Sequence, residues 1–167
     1  MDWMVQVCTG EVVYVNQNDE SREKLEMKGC VNISGGVVAL SLQGTAYYSP
    51  VGNPFWSLEE GVNTLFYESQ LYRHEGGSWI RVGGRVVGSN TFTSGFTFDI
   101  ATADNVTTPG TYRFDYSGNK TGGYWCETYG DNQPLREVHC GSTAGLNRDE
   151  VYDIVSFSGN VEFAVGE

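Results

Sequence analysis

Short runs in which apolar and polar residues alternate, punctuated by glycine, proline and asparagine, constrain this chain more than any other feature. In Leu65-Phe66-Tyr67-Glu68-Ser69-Gln70-Leu71-Tyr72, Leu65, Tyr67 and Leu71 share one face while Glu68 and Gln70 fall on the other. A period of two is that of an extended strand with one dry side. Residues 96–100 and 112–116 repeat the pattern, the second run with aromatics on one side and charges on the other. Comparable runs lie at 5–8, 12–15, 37–48, 79–82, 85–87, 124–129, 151–157 and 161–165. Roughly ten to twelve strands are therefore expected.

The intervening residues carry turn chemistry. Thr9-Gly10 reads as the bend of a hairpin joining the first two strands, and Glu75-Gly76-Gly77-Ser78 as a second hairpin turn. Gly83-Gly84 suggests a bulge or bend, and the run from Ser49 to Pro54 ends a strand. One helical signal is present: Asn18-Asp19-Glu20-Ser21 is able to cap one or two turns before Leu25, or to form a loop. The expectation is an all-β, single-domain antiparallel β-sandwich over residues 1–167, immunoglobulin-like or jelly-roll, with at most one short helix.

The segment Pro109-Gly110-Thr111-Tyr112-Arg113-Phe114-Asp115-Tyr116 resembles the late strand of bacterial immunoglobulin-like sandwiches, where a Pro-Gly turn feeds an alternating aromatic strand. That likeness covers eight residues and implies a sandwich rather than an activity. No Cys-Trp-Cys immunoglobulin spacing accompanies it.

Charge narrows the partners. Ten basic against 21 acidic residues give a net charge of −11, which repels phosphate backbones and anionic lipid surfaces. Nucleic acid and membrane insertion are accordingly not expected as modes of action. No apolar run reaches the ~20 residues of a membrane helix, and Met1-Asp2-Trp3-Met4 lacks the basic start and apolar run of a signal peptide. That start suits a cytoplasmic chain, a mature fragment or a virion component.

Four cysteines fall as one pair near each end. No CxxC or Cys/His knuckle is present, so disulfides fit better than zinc. Short loops favour Cys8 with Cys30 and Cys126 with Cys140, which points to an oxidising compartment; four buried thiols in a reduced one are the alternative. Three Asn-x-Ser/Thr sequons, at Asn32, Asn105 and Asn119, sit beside turn residues and are glycosylation sites only under eukaryotic secretion.

No phosphate-binding loop, GxSxG elbow, HExxH or EF-hand spacing occurs. His74 and His139 lie in different regions and neither is expected to be catalytic. Glu68, Asp99, Asp115 and Glu127, all in expected strands, are the available carboxylates for a small hydrolase. Structural calcium has oxygen-rich candidates at 16–20, 131–132 and 147–150, none with specific spacing, and no other cofactor is expected.

The best binding clue is aromatic. In Tyr47-Tyr48, Phe55-Trp56 and Tyr124-Trp125, adjacent strand residues cannot both face inward, so one ring of each pair lies outside. Trp56, Trp79, Tyr124, Trp125 and Tyr129 are the candidate platform for a sugar or a protein partner. The expected function is a non-catalytic, extracellular or surface-exposed module for binding or assembly. A virion structural protein, such as a capsid decoration or fibre-head domain, and a carboxylate-dependent hydrolase are alternatives, and a homo-oligomer or lattice is compatible with the first two.

Overall fold

A computed structural model describes residues 4–17, 21–50, 53–122, 124–129, 137–142 and 154–166. Among them every regular element is a strand, and two antiparallel sheets pack against each other as a β-sandwich. The expected class holds, and no helix forms in the described residues.

In the first sheet β1 (Val5–Cys8) and β2 (Val12–Gln17) both pair with β3 (Ser21–Ser34). β3 pairs along its whole length with β4 (Val37–Pro50), whose other side carries β5 (Ser57–Leu58) and β8 (Gly95–Ala103). The second sheet contains β6 (Asn63–Glu75), β7 (Ser78–Phe92), β9 (Gly110–Gly122) and β12 (Val155–Val165), in the order β12-β9-β6-β7. β10 (Tyr124–Tyr129) and β11 (Glu137–Ser142) form a separate two-stranded ladder.

Three local expectations are corrected. The polar run ending at Ser21 caps no helix: residues 18–20 lie outside the described part, and the chain is extended from Ser21. Glu, Lys, Leu and Met favour helices in isolation, but here Glu23, Leu25 and Met27 are buried while Arg22, Lys24, Glu26 and Lys28 alternate outward. Pairing on both sides of β3 overrides propensity.

Thr9-Gly10 makes no hairpin either. β1 and β2 run in the same direction along one side of β3, Cys8 facing Cys30 and Val12 facing Met27, so Thr9 to Glu11 interrupt a single edge. Thr9 fastens that break, its amide donating to the Gly29 carbonyl at 2.8 Å and its Oγ1 accepting from the Gly29 amide at 3.0 Å.

The two closing segments are one strand, β12, which passes straight through Gly159-Asn160. Gly159 serves packing: a Cβ there would lie 2.5 Å from the Tyr116 hydroxyl. The same ring covers Gly29 of the opposite sheet, so Tyr116 needs a glycine above and beside it.

Other expectations hold. Gly76 and Gly77 have positive φ in the β6–β7 turn, as a tight two-residue hairpin requires. The register of β6 against β7 slips between Ser69 and Leu71, opposite Gly83-Gly84. Gln70 fills that slip, its Nε2 donating to the carbonyls of Leu71 at 3.0 Å and Gly83 at 3.2 Å.

The core lies between the sheets, with Leu25, Met27, Val31, Leu40 and Leu42 from one and Leu65, Leu71, Phe114, Phe157 and Phe163 from the other. Each large apolar side chain buried there stabilises the fold by about 1.5–3 kcal/mol before entropy is counted. At the entry to β9, Tyr112 donates its hydroxyl to the Thr108 carbonyl at 2.7 Å. This tyrosine corner, familiar from Greek-key sandwiches, fixes the direction in which β9 leaves its loop.

Candidate functional site

β9 follows the alternation its sequence requires: Tyr112, Phe114 and Tyr116 are buried, so Arg113, Asp115 and Ser117 stand on the outer face of the second sheet. Register aligns the other strands with them. Arg113 is opposite Tyr72 on one side and Glu162 on the other, and Tyr72 is opposite Arg81. One step along, Asp115 lies between Gln70 and Asn160, and beyond it Ser117 lies between Glu68 and Ser158.

These rows border an open depression of about 570 Å³ lined by Tyr72, Arg81, Arg85, Arg113, Asp115 and Asn160 among others. Its wall is organised around Arg113. The guanidinium carbon stands 4.4 Å from the centre of the Trp79 ring and 5.4 Å from that of Tyr72. Asp115 anchors the same group, with Oδ1 2.6 Å from Nε and Oδ2 accepting from Nη2 at 3.2 Å. His74 supports the indole edge-on at 5.0 Å. Cation–π contact, ion pairing and the single Nη2–Oδ2 hydrogen bond hold the arginine in one place, which prepares its remaining N–H groups for an acceptor.

The residues lining the depression differ in charge balance from the whole chain, with Glu162, opposite Arg113, outside that lining. Arg81, Arg85 and Arg113 border the depression against the carboxylates of Glu68 and Asp115, a local excess of one positive charge on a protein of net charge −11. Arg85 pairs with Glu68 at 3.3 Å, with both side chains substantially exposed. Serine hydroxyls and the Asn160 amide add donors and acceptors at intermediate positions.

Of the five aromatic candidates, the two with described side chains, Trp56 and Trp79, lie on different sheets. Trp79 stacks on Arg113, which lines the depression, but is not itself part of its lining. Trp56 lies on the outer side of the first sheet, with Arg22 and Lys24 at 4.6 and 4.7 Å from its ring centre and Lys24 also 4.5 Å from that of Tyr47. Cations already cover Trp56, while its neighbour Phe55 is 74% exposed. Tyr124, Trp125 and Tyr129 are placed by backbone only, in β10, and their side chains lie outside the described part. Sequence reading passed over Arg113, Arg81 and Arg85 because it followed rings; the signal available was the Arg-x-Asp pair alternating with aromatics in 112–116.

Of the carboxylates offered for hydrolysis, Glu68 and Asp115 share the depression, Asp99 is exposed on β8 in the other sheet, and the Glu127 side chain lies outside the described part. His74 packs on Trp79, and the His139 side chain also lies outside the described part. No cluster of three or more His, Cys, Asp or Glu suited to a metal occurs among the described residues. The calcium candidates fall mostly outside them, and Asn16 donates its amide to the Ile154 carbonyl at 2.6 Å.

The Cys8–Cys30 disulfide forms between residues directly opposite in the β1–β3 register. Cys126 and Cys140 are likewise opposite in the β10–β11 register, though their side chains lie outside the described part. Of the sequons, Asn32 and Asn119 lie within β3 and β9 with half-buried side chains, and Asn32 accepts from Gln6 at 3.0 Å. Asn105 alone occupies an exposed loop, at φ 58°. Compared with protein-family models, curated proteins and solved structures, the chain gives no match.

Proposed function

We propose that this protein is a non-catalytic recognition module of an extracellular, cell or virion surface, and that the outer face of the second sheet binds carbohydrate, with acidic sugars favoured. One observation carries the reading: Arg113, fixed between Tyr72, Trp79 and Asp115, borders an open polar depression with a local positive excess on an acidic chain. Sugars present weakly polar C–H faces to aromatic rings and hydroxyls or carboxylates to planar donors, and this wall offers both. The Cys8–Cys30 bridge favours an oxidising compartment.

Glu68 and Asp115 are each engaged by an arginine, which favours positioning of a ligand over acid–base chemistry at the same face. Titrating the protein with neutral, uronic-acid and sialic-acid oligosaccharides by calorimetry tests the proposal. Acidic sugars should bind more tightly, Tyr72→Ala and Arg81→Ala should each weaken binding about tenfold, and Trp56→Ala should leave it unchanged. Absence of binding to every sugar overturns it.

A protein partner is the second reading, favoured by β7. This fifteen-residue strand is an edge of its sheet and exposes Ile80, Val86 and Val87. Edges of that length add strands from other chains unless blocked, and concentration-dependent light scattering distinguishes self-association from a monomer.

A further inference from the structure

One group of ionisable side chains is used by neither face of the sandwich. Lys120 of β9 points into the interior between Leu65 and Val155, both fully buried on the flanking strands. Its Nζ lies 3.1 Å from Glu23 Oε2 of β3, in the opposite sheet, and 3.7 Å from Glu59 Oε2, just beyond β5. Lys120, Glu23 and Glu59 are 0%, 1% and 2% exposed. The ammonium also donates to the Gly122 carbonyl at 3.3 Å.

Among the described residues one ammonium stands within 3.7 Å of two buried carboxylates, and neither Glu59 oxygen receives a hydrogen bond. Burial of ions costs more than a single contact returns unless every charge is paired and hydrogen-bonded. Any process that replaces charged by neutral groups is therefore favoured here. An amine and a carboxyl group held in contact, dry, with a second carboxylate alongside, constitute the reactants and proton carrier of amide formation.

We propose that Lys120 and Glu23 become joined by an amide bond formed within the folded protein, with Glu59 as the proton carrier. The ammonium passes one proton to Glu59, which hands it to a Glu23 oxygen and leaves a neutral amine beside a carboxylic acid. The amine lone pair attacks Glu23 Cδ, forming the C–N bond and a tetrahedral centre. Glu59 then accepts a second proton from the nitrogen and delivers it to the Glu23 hydroxyl, which departs as water when the C–O bond breaks. The sum is one ammonium and one carboxylate converted to one amide and one water, with Glu59 returned as a carboxylate and no redox change. Fixed proximity supplies the rate that the same groups lack in solution, where effective molarities of about 10⁵ M or more separate held from free reactants. The product ties β3 to β9 across the two sheets, closing a loop of 97 residues.

The test is the intact mass of the full chain after denaturation, complete reduction and alkylation, followed by sequencing of cross-linked peptides. The expected result is a deficit of one water molecule, mapped to a branched peptide joining Lys120 to Glu23. Lys120→Arg should restore the full mass, and Glu59→Gln should slow formation roughly a hundredfold or more while both reacting groups remain. A wild-type mass equal to that of the sequence overturns the proposal. So does water loss mapped elsewhere, or loss of one ammonia mapped to Lys120 and the nearby buried Asn63.

Discussion

Arg113 of β9 reaches across β6 to stack its guanidinium on Trp79 of β7, 4.4 Å from the ring centre, so three neighbouring strands are tied together on their outer face. Partial shielding on the sheet makes such a contact worth about 1 kcal/mol, more than an exposed ion pair. A double-mutant cycle of Trp79→Ala and Arg113→Ala, followed by denaturant unfolding, should give a coupling energy of about 1 kcal/mol. Additive single effects would show that the stacking has no energetic content.

Cys8 and Cys30 face each other across the β1–β3 register and close a loop of 22 residues. On the chain-entropy model such a bridge contributes about 3 kcal/mol by restricting the unfolded chain. The Cys8→Ala, Cys30→Ala double variant should therefore unfold at lower denaturant, with a loss of about 3 kcal/mol and an unchanged β-sheet spectrum in the absence of denaturant. An equal midpoint would mean that the unfolded chain gains little freedom when the bridge is removed.

How far the fold was legible follows from where the period of two was clean. In β9 apolar and polar residues alternate strictly from Tyr112 to Ser117, and Phe114 and Tyr116 lie where that alternation directs them, while in β6 Leu65 and Leu71 face inward although Phe66 and Tyr72 break the alternation. β3 hid because Glu23 occupies an inward position and helix-favouring residues surround it. A buried carboxylate that meets Lys120, 97 residues away, leaves no local trace. Gly10 and Gly159 misled for the opposite reason: glycine signals a turn in sequence, but Gly159 is needed because a distant tyrosine occupies the space of its Cβ. Of the candidate site, Trp79 was legible as a ring, whereas Arg113 acquires meaning only once register sets β9 beside β6 and β7.

The glycine contacts make that distinction measurable. At Gly159 an added Cβ would meet Tyr116 at 2.5 Å, whereas at Gly10 it would meet nothing within 4 Å. Gly159→Ala should cost about 1–3 kcal/mol through displacement of the ring, and Gly10→Ala should stay within about 0.5 kcal/mol of the parent. Thermal unfolding of the two variants compares them directly, and equal shifts would place the role of Gly159 in backbone freedom instead of packing.

Tyr116 also couples stability to alkaline pH. Burial pushes its phenol above the ordinary value of 10.0, the nearby Tyr14 adds to that, and a hydrogen bond with Thr9 opposes it. Tyr14 is raised as well, through its own burial. For both, the unfolded chain releases the proton first as pH rises, so the unfolded state binds fewer protons above pH about 10. Their contribution is complete below that pH and is lost as pH climbs through the raised folded value. Denaturant midpoints measured from about pH 8 to about pH 11 should stay level at first and then fall. Tyr116→Phe, which removes the ionisable hydroxyl but keeps the ring between Gly29 and Gly159, should flatten that fall. If the variant and the parent lose stability in parallel, the alkaline transition belongs to other groups and the buried phenol is energetically silent.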